Sequence, residues 1–405
     1  MSAAASAQRD IDVVIFGGGG AGLWLLDELL RRGLRTVVLE SDRLGSGQTV
    51  ASQGIIHGGL KYSLRGLLTP AAAAIRDMPI QWRRSLAGRQ PPLLTQTRLR
   101  AEYCHLWQSG SFTSGLGMLG ARVGLRVRPV KIKHAARPAI LAGCPGVVAR
   151  LDEPVIEPAS LLEDLAGQHP RQLLKIDAQE GLHFDLAGPG VVESIRLTDP
   201  GFGQALTLRP GHVVLTAGVG NAALGSALGL SGCAMQRRPL NMVMLRGDLP
   251  ALAGHCIEGM GARLTITATS DSAGRTVWQV GGRLAEVGRA WPQEKLLAHA
   301  RGELEEVLPA LDLNGVQWAT YLVDRAEAAM SGRRPDDVGI VAEGNVITAW
   351  PTKLALVPRL AAAVSARLPE PQRQLAECLA AADGWPRPEV ALPPWERVGL
   401  WHTDV

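Results

Sequence analysis

Ile11-Asp12-Val13-Val14-Ile15-Phe16-Gly17-Gly18-Gly19-Gly20-Ala21-Gly22 is the stretch whose reading decides the fold. A short β-branched run ends abruptly in glycines, which is how a strand passes into a tight turn. Leu23, Leu25, Leu26, Leu29 and Leu30 follow at helical spacing, and Gly33 stops the helix. Thr36-Val37-Val38-Leu39-Glu40 then restores a strand pattern that ends in an acid. The unit is βαβ. Gly17, Gly19 and Gly22 fit GxGxxG, in which the first glycine makes the turn, the second lets backbone approach a pyrophosphate and the third lets helix pack on strand. The helix start at Gly19, Gly20, Ala21 and Gly22 turns its N–H groups to the phosphates, and Glu40, followed by Ser41, accepts the hydroxyl hydrogens of an adenosine ribose. Four adjacent glycines cost conformational entropy that a turn without a ligand would not justify. An acid at Glu40 disfavours a 2′-phosphate, so FAD or NAD stands ahead of NADP.

Outward from this unit, 405 residues correspond to two or three structural units at roughly 150 residues each. With 46% hydrophobic and 20% charged residues the chain reads as globular, which excludes disorder and collagen-like structure. Basic residues (42) outnumber acidic ones (38) by only four, a balance that does not indicate nucleic acid. The five cysteines, Cys104, Cys144, Cys233, Cys256 and Cys378, are odd in number and form no CxxC, so free thiols in a reducing cytoplasm are expected and a metal site is not. No apolar run approaches the length of a membrane span, and the first twelve residues lack the order of a signal peptide. A cytoplasmic protein is expected, with room for peripheral contact at the inner face of the membrane.

Ser46-Gly47-Gln48-Thr49-Val50-Ala51-Ser52-Gln53-Gly54-Ile55-Ile56-His57-Gly58-Gly59-Leu60-Lys61-Tyr62 decides between FAD and NAD. Ser52, Gln53 and Gly54 offer N–H groups and little bulk where a flat ring must lie close to backbone. The stretch resembles the second cofactor-contacting segment of the D-amino-acid-oxidase superfamily of FAD enzymes. Its nearest likeness is the glycerol-3-phosphate dehydrogenase branch, followed by L-2-hydroxyglutarate dehydrogenase and oxidase. Leu151 to Leu162 resembles the family's return from substrate domain to cofactor domain, with Ser160 and Glu163 expected as a capping box. His212 to Gly220 resembles the strand whose turn, at Ala217 and Gly218, lies beneath the FAD. Leu240 to Leu245, Arg263 to Thr269 and Val277 to Val280 read as strands of a mixed substrate sheet, and Arg237, Arg238 and Pro239 as structural residues where it begins. Asp324-Arg325-Ala326, Arg333 to Ile340 and Asn345 to Pro358 complete the likeness. Thr352-Lys353-Leu354 resembles the GGKLT element, whose lysine reaches flavin and substrate; Trp350 and Pro351 stand where the family has glycines. The resemblance further implies a helix from about Pro358 to Leu368 whose N-terminus points at the flavin.

The resemblance implies an α/β fold. A glutathione-reductase-type FAD-binding Rossmann domain would come from residues 8–75, 150–232 and 325–405, and an interleaved mixed β-sheet substrate domain from 76–149 and 233–324. The expected chemistry is oxidation of a small, anionic 2-hydroxy acid or polyol phosphate by hydride transfer to flavin N5. The alternatives are an amine or amino-acid oxidase or dehydrogenase, and a flavin-carrying subunit of a larger complex. The electron acceptor, whether oxygen, quinone or protein, is left open. His57 is read as base or as a packing residue against the flavin. Lys61 and Tyr62 stand in place of an Arg-Tyr pair that contacts substrate, where lysine keeps the charge but loses the bidentate fork; Lys61 reads equally as a solvated loop lysine. Arg325 is read as an anion anchor or as an ion pair with flanking Asp324 and Glu327, and Lys353 as a flavin and substrate contact. Arg122, Arg126, Arg128, Lys131, Lys133 and Arg137 read as a solvated face or as a docking face for an anionic lipid surface or acidic partner. Trp395 and Trp401 near the C-terminus belong to no motif.

Overall fold

The computed structural model describes residues 7–405 apart from 60–73, 110–128, 202, 233, 260, 331–333, 371–383 and 404. Lys61, Tyr62, Arg122, Arg126 and Arg128 lie outside the described residues. Two eight-stranded sheets carry the molecule.

The first sheet has a parallel centre of five strands in the order Val346–Trp350, Ala205–Leu215, Ala7–Phe16, Thr36–Glu40 and Leu173–Lys175. Val13 pairs with Thr36 on one side and His212 on the other. A parallel sheet must be covered on both faces, and alternation along the strands supplies both. Val13, Ile15, Val38 and Val214 pack under Leu23 and Leu26 of helix Gly20–Arg31 and Leu360 and Val364 of helix Val357–Ser365. Val14, Val37 and Val213 face the other way, against Val192, Ile195 and Leu197 of a strand that extends the same sheet as an antiparallel hairpin, Leu182–Gly188 with Val191–Thr198. Gly339–Glu343 closes the opposite edge, antiparallel to Val346–Trp350.

The second sheet runs Gln317–Ala328, Met235–Gly247, Thr276–Gly281, Gly261–Ser270, Ala253–Glu258, Cys104–Gln108, Ala149–Leu151 and Val130–Lys131, mostly antiparallel. One face buries Trp278, Trp318, Leu264 and Ile266 against Leu296, Ala300 and Leu304 of helix Gln293–Val307. The residues one step out of register, Tyr321, Met242, Gln279, Thr265 and His255, fall on the other face. That face is unusually polar for buried strand surface: Gln279, His255 and Thr265 are all buried.

Two segments tie the sheets together. After Ala149–Leu151 the chain forms Val155–Ile156, which pairs with Leu99–Ala101 and bridges to Ile55, then enters helix Pro158–Gln168 against the first sheet's helices. The C-terminal segment bridges Leu44 through Val390, and Trp318 of the second sheet through His402. Between those bridges Trp395 packs on Met244, Val277 and Ala319.

Some local expectations change. Ser160 does not cap its helix, because Pro158 starts it two residues earlier and Glu157 stands at the cap. The Ser160 hydroxyl instead donates to Glu157 O at 2.9 Å and accepts Arg98 N–H at 2.9 Å. The helix expected from about Pro358 to Leu368 spans Val357–Ser365, behind a 3₁₀ turn at Leu354–Leu356. Arg137 is no part of a solvated face, since its guanidinium donates to Cys144 O at 2.7 Å and Gly146 O at 2.6 Å. Cys104, Cys144 and Cys256 are buried free thiols. Among the described residues no helix is long and apolar enough to cross a membrane.

Candidate active site

A cavity of about 1140 Å³ lies where the two sheets face each other, beyond the carboxyl ends of the parallel strands. In open parallel sheets that is where ligands bind, and the volume is above the usual small-molecule range, as an extended dinucleotide requires.

One end is made of backbone. Gly17 holds φ +102°, and a Cβ there would sit 2.6 Å from Ala217 Cα. A Cβ on Gly22 would lie 2.0 Å from Gly17 O, so helix and strand meet at a distance only glycine allows. Gly22 accordingly supports the turn from below, while Gly17, Gly19, Gly20 and Ala21 line the cavity. At Gly19 a Cβ would meet nothing closer than Thr49 Oγ1 at 3.3 Å and would take up ligand space instead. The first turn of Gly20–Arg31 carries no acid and no side-chain cap, which leaves its positive dipole end to an anion; Thr49 Oγ1 accepts Gly20 N–H at 3.2 Å. Glu40 reaches the same end, accepting Gly18 N–H at 2.7 Å on Oε2 and Asp42 N–H at 2.8 Å on Oε1, with Ser41 beside it in the wall. These donors, this dipole and this clearance fit a pyrophosphate and an adenosine ribose.

The other end is made of side chains. Ser52, Gln53 and Gly54 form one wall, as expected, and Ala217 and Gly218 stand behind the turn. Gln53 Nε2 donates to Thr265 O and Gln279 O, both at 2.9 Å, and so fastens this wall to the second sheet. Thr352, Lys353 and Leu354 line the side beneath helix Val357–Ser365. Thr352 has φ +58°, the one non-glycine among the described residues in the left-handed region. A threonine thus holds a backbone conformation that usually falls to glycine, at a cost of about 1–2 kcal/mol in strain.

His57 and Arg325 line the cavity as well. The Arg325 guanidinium bonds Glu286 at 3.2 Å rather than its flanking acids. Glu327 is fully buried and pairs with Arg238 at 3.5 Å, while Asp324 lies 3.8 Å from Arg237. Asp324, one residue away in the strand, points to the opposite face, and Glu327, two residues on and on the same face, is taken by Arg238. Burial, followed by the charges of Arg238 and Arg334, pulls the Arg325 pKa down. His57 Nδ1 lies 3.4 Å from Glu153 Oε2.

Sequence reasoning missed several members of this wall. Tyr321 lines it, donating its hydroxyl hydrogen to Ala51 O at 2.8 Å and accepting from Gln279 Nε2 at 2.8 Å; burial pushes its phenol up. Arg100 donates to Gln279 Oε1 at 3.1 Å behind it, and burial brings its pKa down to about 10. Gln48 accepts Ala326 N–H at 2.8 Å. Pro394, Arg397 and Val398 bring the C-terminal segment into the wall, and Arg334 adds a further cation. No local pattern marks these residues; only the strand pairings bring them together.

Comparison with known proteins agrees with this geometry. The description "FAD dependent oxidoreductase" matches residues 12–351. The probable FAD-dependent oxidoreductase PA4991 of Pseudomonas aeruginosa is 42% identical over 393 residues, covering 95% of this chain and 97% of that protein. Its crystal structure superposes with a TM-score of 0.79 at 36% identity, over 97% of this chain and 99% of that one. Glycine oxidase from Geobacillus kaustophilus shares the fold at a TM-score of 0.61 and 17% identity, over 92% of this chain and 98% of its own. L-α-glycerophosphate oxidase from Mycoplasma pneumoniae, with FAD bound, shares it at 0.60 and 12% identity, over 89% and 95%.

Proposed function

This chain belongs to the family of FAD dependent oxidoreductases, and on that footing we propose that it oxidises a small anionic 2-hydroxy acid or polyol phosphate in the side-chain end of the cavity. The observation that carries the reading is the charge of that wall. Arg325, Arg334, Lys353 and Arg397 line the cavity. Among the described residues the acids that line it are Glu40 and Asp42 at the nucleotide end, and Asp324. A substrate bearing a carboxylate or phosphate matches such a wall.

FAD, when bound, supplies a two-electron acceptor. The glycine turn, the start of helix Gly20–Arg31 and Glu40 would hold its nucleotide half, and Ser52, Gln53, Gly54 and the Thr352–Leu354 turn would border its ring. The remaining work falls to the chain. Arg325 and Lys353 fix the anionic group of the substrate, and His57 takes the proton of the hydroxyl being oxidised. A hydroxyl keeps its proton at neutral pH, so a base must stand beside it. The imidazole backed by Glu153 is such a base in the cavity.

Anaerobic mixing of the purified yellow protein with 2-hydroxy acids, polyol phosphates, amino acids and amines tests the proposal. Bleaching by members of the first two classes is expected. Bleaching by amines or amino acids alone would replace this reading with amine oxidation, and bleaching by none would favour a flavin-carrying subunit.

A further inference from the structure

Glu153 is 2% exposed and sits in the loop between Ala149–Leu151 and Val155–Ile156. Its Oε1 accepts Gly58 N–H at 2.6 Å. Its Oε2 faces two imidazoles, His57 Nδ1 at 3.4 Å and His255 Nε2 at 3.8 Å. The two rings lie 5.4 Å apart between centroids, and the other nitrogen of His255 is 2.9 Å from Thr265 Oγ1. Burial alone would raise the Glu153 pKa, but the bonds and charges of His255 and His57 hold the carboxyl far below the usual glutamate range.

Several other acids of this chain have an arginine among their partners, as buried Asp27 has Arg31 beside His169. Arg263 satisfies Glu303 and Glu306, and Arg275 satisfies Asp271. Those cations keep their charge at any physiological pH. At Glu153 the facing groups on Oε2 are both imidazoles, the side-chain type whose ordinary pKa lies near neutrality. They come from the Ser52-to-Gly59 segment and from strand Ala253–Glu258. His105 on the next strand alternates with Cys104 and Leu106, which pack on this side, and so faces away with Arg150. Of the three groups only His57 lines the cavity. A carboxylate beside an imidazole stabilises the imidazolium and fixes the tautomer that leaves the opposite nitrogen as acceptor.

We propose that Glu153 and His255 are positioning residues that turn His57 into a proton store for the reaction. The proposal rests on the reading of His57 given above. Glu153 orients His57 through Nδ1, so that Nε2 accepts the substrate hydroxyl proton: the O–H bond breaks as the Nε2–H bond forms, and the new imidazolium sits beside the carboxylate. The step is a proton transfer alone. His255 competes for the same carboxylate, and its protonation state sets how strongly His57 holds the proton.

The signs of two substitutions separate this from a structural role. Glu153→Gln removes the charge that favours imidazolium, and His255→Gln removes the competitor. NMR titration of the histidine-labelled full chain, without substrate, reads the His57 midpoint directly, with His57→Gln assigning the signal. Glu153→Gln should move that midpoint down by about one pH unit or more, and His255→Gln should move it up. The acidic limb of the pH profile for flavin reduction should follow in the same directions, and Glu153→Asp should keep the limb near its original place. Midpoints that stay fixed in both variants, or a stoichiometric divalent ion lost with any of the three side chains, would overturn the proposal. The titration needs no substrate, so a failed substrate panel would strike the functional reading, while an unshifted titration would strike this one.

Discussion

The two ends of the cavity are built in opposite ways. The nucleotide end is read by backbone: Gly17 to Gly22 and Glu40 lie within one βαβ unit, and what they offer is N–H groups, a dipole and clearance for a ligand. The proposed substrate end is built from side chains that converge from strands and loops up to 340 residues apart, from His57 through Tyr321 and Arg325 to Arg397. A site made of backbone constrains the identity of consecutive residues and so leaves a motif. A site made of single side chains constrains only their arrangement in space.

Substitutions can break or sharpen this contrast. The largest effect is expected at Gly22→Val, where new atoms would enter the 2.0 Å approach to Gly17 O. The purified protein should be colourless, and the fold weakened by about 1–3 kcal/mol from overpacking. Yellow protein with unchanged thermal unfolding would show that the turn tolerates bulk. At the opposite end His57→Gln should retain flavin, judged by visible absorption, while flavin reduction slows by about 10²–10⁴-fold. Loss of flavin from this variant would mean that the two ends are not separable. Arg325→Met should raise KM for an anionic substrate about tenfold or more and change kcat less, because a charge-assisted contact is lost while the base remains. An equal effect on a neutral analogue would remove the anion-anchor role. The smallest effect is expected at Thr352→Gly, where relief of the +58° conformation is offset by greater freedom of the unfolded chain. Stability should change by less than about 1 kcal/mol, and calorimetry reads it.

The same contrast explains what was legible beforehand. The βαβ unit, the return through Leu151 to Leu162 and the strands from Leu240 to Val280 show in the sequence because alternation and glycine placement are local. Glu153 lies within the Leu151 to Leu162 stretch, yet its chemistry is invisible there, since His255 reaches it only through the pairing of Ala253–Glu258 with Cys104–Gln108 and Gly261–Ser270. Arg325 was legible as a residue but not its partner, because Glu286 comes from helix Arg283–Val287 and not from the same strand. Thr352 could not be foreseen, since a threonine carries no signature of left-handed backbone.

The order of strands in the first sheet also dictates when the protein can begin to work. Ala7–Phe16 leaves the ribosome early, yet one of its partners is Ala205–Leu215, which in turn needs Val346–Trp350. At roughly 5–20 residues per second the glycine turn therefore waits on the order of tens of seconds for its supporting wall. Through that interval the apolar strand Val13-Val14-Ile15 has no complete sheet to join, and the wall behind the glycine turn is finished only when most of the chain has been made.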